Sequence, residues 1–153
     1  MRVVNSSSEE QTKALGQELA SSLKEAICIC LYGDLGSGKT VFTKGLALGL
    51  GISENKIKSP TYTLMRSYQL PATNFGKGAH FYHYDFYRVE AVDELMAHDL
   101  EEILTQKNAI VVIEWPERVA TLLPEKRLNI SFEHVNPTER RIKFQILSTK
   151  SQP

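Results

Sequence analysis

Hydrophobic and polar positions along the 153 residues change period several times, and the changes divide the chain into elements. Ser6 to Lys24 predicts a first helix, with Leu15, Leu19 and Leu23 recurring every four residues on one apolar face. Ser8 with Gln11, or Ser7 with Glu10, fits a capping box at its start. Ala26 to Tyr32 is a short apolar run of the kind a buried strand makes, and Val41 to Leu50 is rich in helix formers and closes on Gly49 and Gly51. Leu64 to Leu70 favours a strand, entered in extended form through Pro60. Phe81 to Arg88 alternates: Phe81, His83, Asp85 and Tyr87 share one face, and Tyr82, Tyr84, Phe86 and Arg88 the other. Val89 to Gln106 reads as helix, with Leu95, Met96, Leu100, Ile103 and Leu104 buried and an acidic outside of Glu90, Asp93, Glu94, Asp99, Glu101 and Glu102. Ala109 to Glu114 is a second buried strand. Glu117 to Leu123 is a short helix stopped by Pro124, and Arg127–Glu133 and Arg140–Leu147 form an antiparallel hairpin. Gly51–Lys58 and Pro71–Gly78 are connections, the second a mobile loop, and Ser148 to Pro153 is a tail. The chain reads as one domain over residues 1–153, without repeats or low-complexity segments.

One of these junctions carries chemistry. Between the Ala26–Tyr32 strand and the Val41–Leu50 helix lies Gly33-Asp34-Leu35-Gly36-Ser37-Gly38-Lys39-Thr40, the G-x-x-x-x-G-K-T phosphate-binding pattern. Strand, glycine loop and helix together aim successive backbone N–H groups at one anion. Lys39 sets a positive charge against the β and γ phosphates, and Thr40 offers a hydroxyl to Mg²⁺. A glycine-rich turn that binds nothing is the bland alternative. Three placed glycines followed by Lys-Thr, in the right context, make it a poor one.

Charge and cysteine content narrow the class. Lys plus Arg and Asp plus Glu number 18 each, so net charge is zero, which argues against binding nucleic acid through a basic surface. No apolar stretch approaches membrane-spanning length and the N-terminus lacks a signal-peptide core, so a cytoplasmic protein is expected. Cys28 and Cys30 point the same way along one strand, cannot comfortably bridge, and read as small buried hydrophobes.

Further candidates gain weight beside the glycine loop. Ile110 to Glu114 is four apolar residues ending in an acid, the arrangement in which a parallel strand delivers a carboxylate beside phosphates. Trp115 after it is either a lid or stacking platform, or a cover for the core. Asp85, flanked by aromatics in a strand, needs a partner: Mg²⁺, water or Lys39 on one reading, Arg88 or backbone on the other. His83 reads more readily as structural than catalytic. Thr61, in Ser59-Pro60-Thr61-Tyr62-Thr63, sits where nucleotide switches place a hydroxyl, and is equally a turn residue. Glu10 and Thr12 on the first helix are within reach of an adenine or ribose.

Four strings in this order, G-D-L-G-S-G-K-T from Gly33, S-P-T-Y-T from Ser59, H-Y-D-F-Y-R from His83 and I-E-W-P from Ile113, closely resemble the TsaE (YjeE) family of bacteria, from about Ser8 to the final hairpin. The resemblance implies an α/β P-loop NTPase fold with central parallel strands flanked by antiparallel ones and helices on both faces. It implies an ATPase that is weak alone and acts with the TsaB and TsaD proteins in making N6-threonylcarbamoyladenosine at position 37 of tRNAs reading codons that start with A. The cofactors expected are ATP and Mg²⁺. Expected nucleotide contacts are Glu10, Thr12, Leu35, Gly36, Ser37, Gly38, Lys39, Thr40, Thr61 and Arg140. Thr40 and Glu114 are the metal ligands, and Lys39, Asp85 and Glu114 the catalytic groups. The isolated chain is expected to be a monomer that binds neither membrane nor, specifically, tRNA. Two departures stand out: Val41 where many members carry a second Thr, and a long Pro71–Ala79 loop. The rival readings are a small-molecule or nucleotide kinase, which asks for an arginine-rich lid, and a nucleotide switch that never turns over.

Overall fold

The computed structural model describes residues 1–60, 62–71 and 75–148. Seven strands form one sheet: β1 (Arg2–Ser6), β2 (Ile27–Tyr32), β3 (Met65–Gln69), β4 (His80–Asp85), β5 (Ala109–Glu114), β6 (Arg127–His134) and β7 (Arg140–Leu147). Their spatial order is β1-β7-β6-β2-β5-β4-β3. The middle four run parallel, β6 beside β2, β2 beside β5 and β5 beside β4. Antiparallel strands close both edges: β3 on β4, and β7 with β1 beyond β6. This is the expected α/β architecture, and the expected β6–β7 hairpin is present.

Helices cover both faces because the parallel strands are apolar on both sides, as parallel sheets require. On one face α1 (Glu9–Ser22) and α2 (Lys39–Gly49) pack Ala20, Phe42, Leu46 and Ala47 against Ile29, Leu31, Ile110, Val112 and Ile130. On the other, α3 (Glu94–Leu104) and a 3-10 segment at Pro116–Leu122 pack Leu100 and Val119 against Cys28, Cys30, Val111 and Ile113. The helices α1 and α2 meet at backbone distance. A Cβ added to Gly45 would lie 2.0 Å from the Lys13 carbonyl oxygen, and one added to Gly16 would lie 2.2 Å from that of Phe42.

Several expected boundaries move, each for a local reason. Arg2–Ser6, given no element from sequence, is an edge strand whose Val4 stands opposite Ile142. The first helix therefore starts at Glu9 rather than Ser6, where the Ser8 hydroxyl accepts from the Gln11 N–H at 3.1 Å. Strand β4 ends at Asp85 instead of Arg88, because the Asp85 carboxylate accepts the Tyr87 N–H at 3.0 Å and turns the chain. Strand β3 begins only at Met65, since Leu64 sits at φ 69°, outside the β region. Helix α3 begins at Glu94 instead of Val89, capped by Asp93, whose carboxylate accepts from the Met96 N–H at 2.8 Å. In that frame Met96, Leu100, Ile103 and Leu104 form the inward stripe. Leu95, expected inside, lies a residue off the stripe and is 69% exposed. The Pro116–Leu122 segment is 3-10 rather than α, broken at Val119. No helix among the described residues is long and apolar enough to cross a membrane.

Candidate functional site

The C-terminal ends of β2, β5 and β4 lie side by side, and each delivers one part of the site. From β2 the chain enters the glycine loop. Gly33 and Gly36 take positive φ, and a Cβ at Gly33 would fall 2.8 Å from the Phe132 carbonyl oxygen, so only glycine fits there. Gly38, at φ 106°, caps α2 without any side-chain hydrogen bond to the first turn. The first N–H groups of an 11-residue helix are thus left for something other than a cap, the arrangement that binds anions.

Lys39 at the start of α2 is 4% exposed. Its ammonium donates to the Gly33 carbonyl and lies 3.8 Å from the centre of the Trp115 ring. Burial pushes its pKa below the usual lysine value, while the carboxylates of Glu114, Glu117, Asp85 and Asp34 pull the other way. Thr40 reaches across to β5, its hydroxyl donating to Glu114 Oε1 at 3.2 Å. The other oxygen of Glu114 pairs with His83 Nε2 at 2.6 Å. Glu114 stands in register with Asp85 on the neighbouring strand, and both are buried. Trp115, next in sequence, is in the left-handed conformation at φ 61°, which a bulky residue holds only under constraint. Its ring packs against Tyr87 at 5.0 Å.

These groups line a cavity of about 820 Å³, within the range of small-molecule sites. Of the residues expected from sequence, Thr12, Leu35, Gly36, Gly38, Lys39, Thr40, Asp85, Glu114 and Arg140 are on its wall. Arg140 is tied to the loop by a 3.3 Å bond to the Gly36 carbonyl. Glu10 is not on the wall; its neighbour Glu9 is. Ser37 is turned inward, fully buried, its hydroxyl without a partner. Thr61 lies outside the described residues. Sequence reading missed Ser7, Ser8, Tyr87, Arg88, Pro137 and Thr138, which also line the cavity. For Tyr87 and Arg88 a signal existed, two and three positions beyond Asp85; the others arrive only by the approach of α1 and the β6–β7 turn.

Two oxygen donors, Thr40 Oγ1 and Glu114, stand 3.2 Å apart beside the open helix end. Among the described residues no three His, Cys, Asp or Glu side chains group to hold a metal by themselves. Mg²⁺ takes one or two protein oxygens and completes its shell from phosphates and water, and Thr40 Oγ1 with Glu114 is the pair that would hold it.

The fold and the loop define a P-loop protein, with the cavity at the start of α2. The family model described as threonylcarbamoyl adenosine biosynthesis protein TsaE matches residues 6–142. The tRNA threonylcarbamoyladenosine biosynthesis protein TsaE of Bacillus subtilis is 35% identical, over 92% of this chain and 83% of its own length. That of Treponema pallidum is 38% identical over 93% and 98%. The crystal structure of Bacillus subtilis YdiB superposes with a TM-score of 0.72 at 29% identity, covering 97% of this chain and 87% of the other. This chain belongs to the TsaE family, whose role is in tRNA threonylcarbamoyladenosine biosynthesis.

Proposed function

We propose that the chain binds ATP with Mg²⁺ and hydrolyses it slowly on its own, as the ATPase component that works with the TsaB and TsaD proteins in making N6-threonylcarbamoyladenosine at position 37 of tRNAs reading codons that start with A. The observation that carries the reading is the convergence of Lys39, Thr40, Glu114 and Asp85 on one cavity at the uncapped start of α2. The α2 and loop N–H groups bind the phosphates, and Lys39 leaves the Gly33 carbonyl to meet their charge. Thr40 and Glu114 hold Mg²⁺, which when bound neutralises charge on the phosphate oxygens. Asp85, fixed by the Tyr87 N–H, orients the attacking water. Trp115, Tyr87 and Pro137 line the same cavity. The protein acts in the cytoplasm, as a monomer when isolated, without membrane contact. Net charge is zero and α3 presents its acids outward, so tRNA reaches the reaction through the partners rather than through this surface.

The test is ATP turnover, under single- and multiple-turnover conditions, with and without purified TsaB–TsaD. Slow hydrolysis alone and faster hydrolysis with partners is expected. Rapid turnover by the isolated chain, indifferent to partners, would return the chain to the class of independent enzymes.

A further inference from the structure

His83 has no place in the chemistry derived above, yet it makes one of the shortest polar contacts in the molecule. Its Nε2 lies 2.6 Å from Glu114 Oε2, with both side chains 4% exposed. A carboxylate oxygen accepts, so the imidazole donates. The two oxygens of Glu114 are therefore gripped unequally: Oε1 by the Thr40 hydroxyl at 3.2 Å from the cavity side, and Oε2 by His83 at the shorter distance from within the sheet. The spacing explains itself. Strand β4 alternates, so His83 and Asp85 project from the same face, and the parallel register sets Asp85 opposite Glu114 and His83 opposite Val112. One strand thus presents its acid to the cavity and, two residues earlier, a donor to its neighbour's acid.

Resting on the nucleotide and Mg²⁺ reading, we infer that His83 is a positioning residue that fixes the Glu114 carboxylate for the metal. A buried carboxylate without a firm partner is costly and turns toward whatever cation is near. Here that cation is Lys39, on which Glu114 exerts the largest pull of any carboxylate. Without His83, Glu114 is free to rotate toward Lys39, and the metal loses its oriented oxygen. With His83 in place, Oε2 is occupied and Oε1 faces Thr40. This is the relation in which partners behind a metal ligand orient it, and their loss typically weakens metal binding about 10–100-fold. The competing role is packing alone, since the His83 ring also lies 6.5 Å from that of Phe81.

The two roles separate by metal titration. Mn²⁺ is titrated into protein with ADP and followed by the electron paramagnetic resonance of free metal, with Mg²⁺ as competitor. ADP affinity is measured separately in chelator. Parent, His83→Leu, His83→Gln and His83→Asn are compared. His83→Leu should bind Mn²⁺ roughly 10–100-fold more weakly while metal-free ADP affinity changes by no more than about threefold, well under the metal effect. Gln carries its amide nitrogen near the place of Nε2 and Asn near that of Nδ1, so Gln should restore metal affinity and Asn should not. The Gln–Asn pair also answers if His83→Leu fails to fold. Equal metal affinity in Gln and Asn, or a His83→Leu variant that binds metal like the parent, overturns the positioning role. A parent that binds no Mn²⁺ with ADP overturns the nucleotide reading itself, and Glu114→Ala run alongside distinguishes the two failures.

Discussion

Replacing Gly45 by alanine tests whether the cavity depends on the backbone contact between α1 and α2. The added Cβ would meet the Lys13 carbonyl oxygen at 2.0 Å, its carbon at 2.8 Å and Lys13 Cα at 3.0 Å. All three are backbone atoms, so no rotamer change relieves the clash, and α1 must move away by roughly 1.5 Å to reach ordinary contact. Overpacking of this kind costs about 1–3 kcal/mol, with a backbone clash at the upper end. Alanine in a helix interior returns up to about 1 kcal/mol over glycine. The net loss is on the order of 2 kcal/mol, or a melting temperature lower by roughly 4–8 °C for a chain of this size. Because α1 carries Ser8, Glu9 and Thr12 on the cavity wall, nucleotide affinity should fall with stability. Gly16→Ala, with its Cβ 2.2 Å from the Phe42 oxygen, should behave alike. Thermal melting and calorimetric nucleotide titration are the measurements. A variant that melts at or above the parent temperature would mean that the two helices are not held at backbone distance.

Lys39→Ala should abolish tight ATP binding, as it removes the one buried cation at the loop among the described residues; unchanged affinity by calorimetry would count against the nucleotide reading as a whole. Trp115 is the chain's single tryptophan and its ring holds the Lys39 ammonium, so its fluorescence should change when ATP or ADP with Mg²⁺ draws that charge away. A signal indifferent to saturating nucleotide would leave Trp115 a packing residue. The Cys28 thiol is pushed up by its contact with Cys30 and by burial, so iodoacetamide at pH 8 should leave both cysteines unmodified in the native chain and label both after denaturation. Rapid native labelling would contradict their burial.

What sequence could convey here was local. The glycine loop is legible because its function is a backbone shape that only certain residues permit, and Gly33, Gly36 and Gly38 do take positive φ. The two faces of β4 are legible because a strand has a period of two, and Tyr82, Tyr84 and Phe86 indeed lie on the face opposite Phe81 and His83. Features that depend on distant partners were not legible. Strand β1 has only Val3 and Val4 to mark it and exists because β7, far along the chain, offers an edge. Leu95 lies one residue off the stripe of Met96, Leu100, Ile103 and Leu104, and Glu9 rather than Glu10 lines the cavity, because which face of a helix turns inward is set by what the helix packs against. His83 was legible as a structural histidine, but its partner lies on the next strand in space and 31 positions on in sequence.

Two carboxylates side by side at the ends of adjacent strands ought to repel, and this chain keeps both by giving each a different partner. Glu114 is held by a hydroxyl and an imidazole, donors that leave it facing Thr40 at the base of the cavity. Asp85 is held by the backbone N–H of Tyr87, which fixes it at the turn where β4 ends. Lys39 lies under the influence of both. Acids with such different partners take different roles. Glu114 suits a metal present with the ground-state nucleotide; Asp85, one strand further from the glycine loop, suits a group that matters once water attacks. Asp85→Ala should therefore leave ATP affinity within about threefold of the parent and lose the partner-stimulated rate by roughly 10²-fold or more, the scale for a positioned acid–base group. Glu114→Ala should instead weaken the Mg²⁺ dependence of nucleotide binding. Both variants are compared in nucleotide titrations with and without Mg²⁺ and in turnover with TsaB–TsaD. If Asp85→Ala weakens binding as much as it slows turnover, the two acids share the ground-state role and the division between them is wrong.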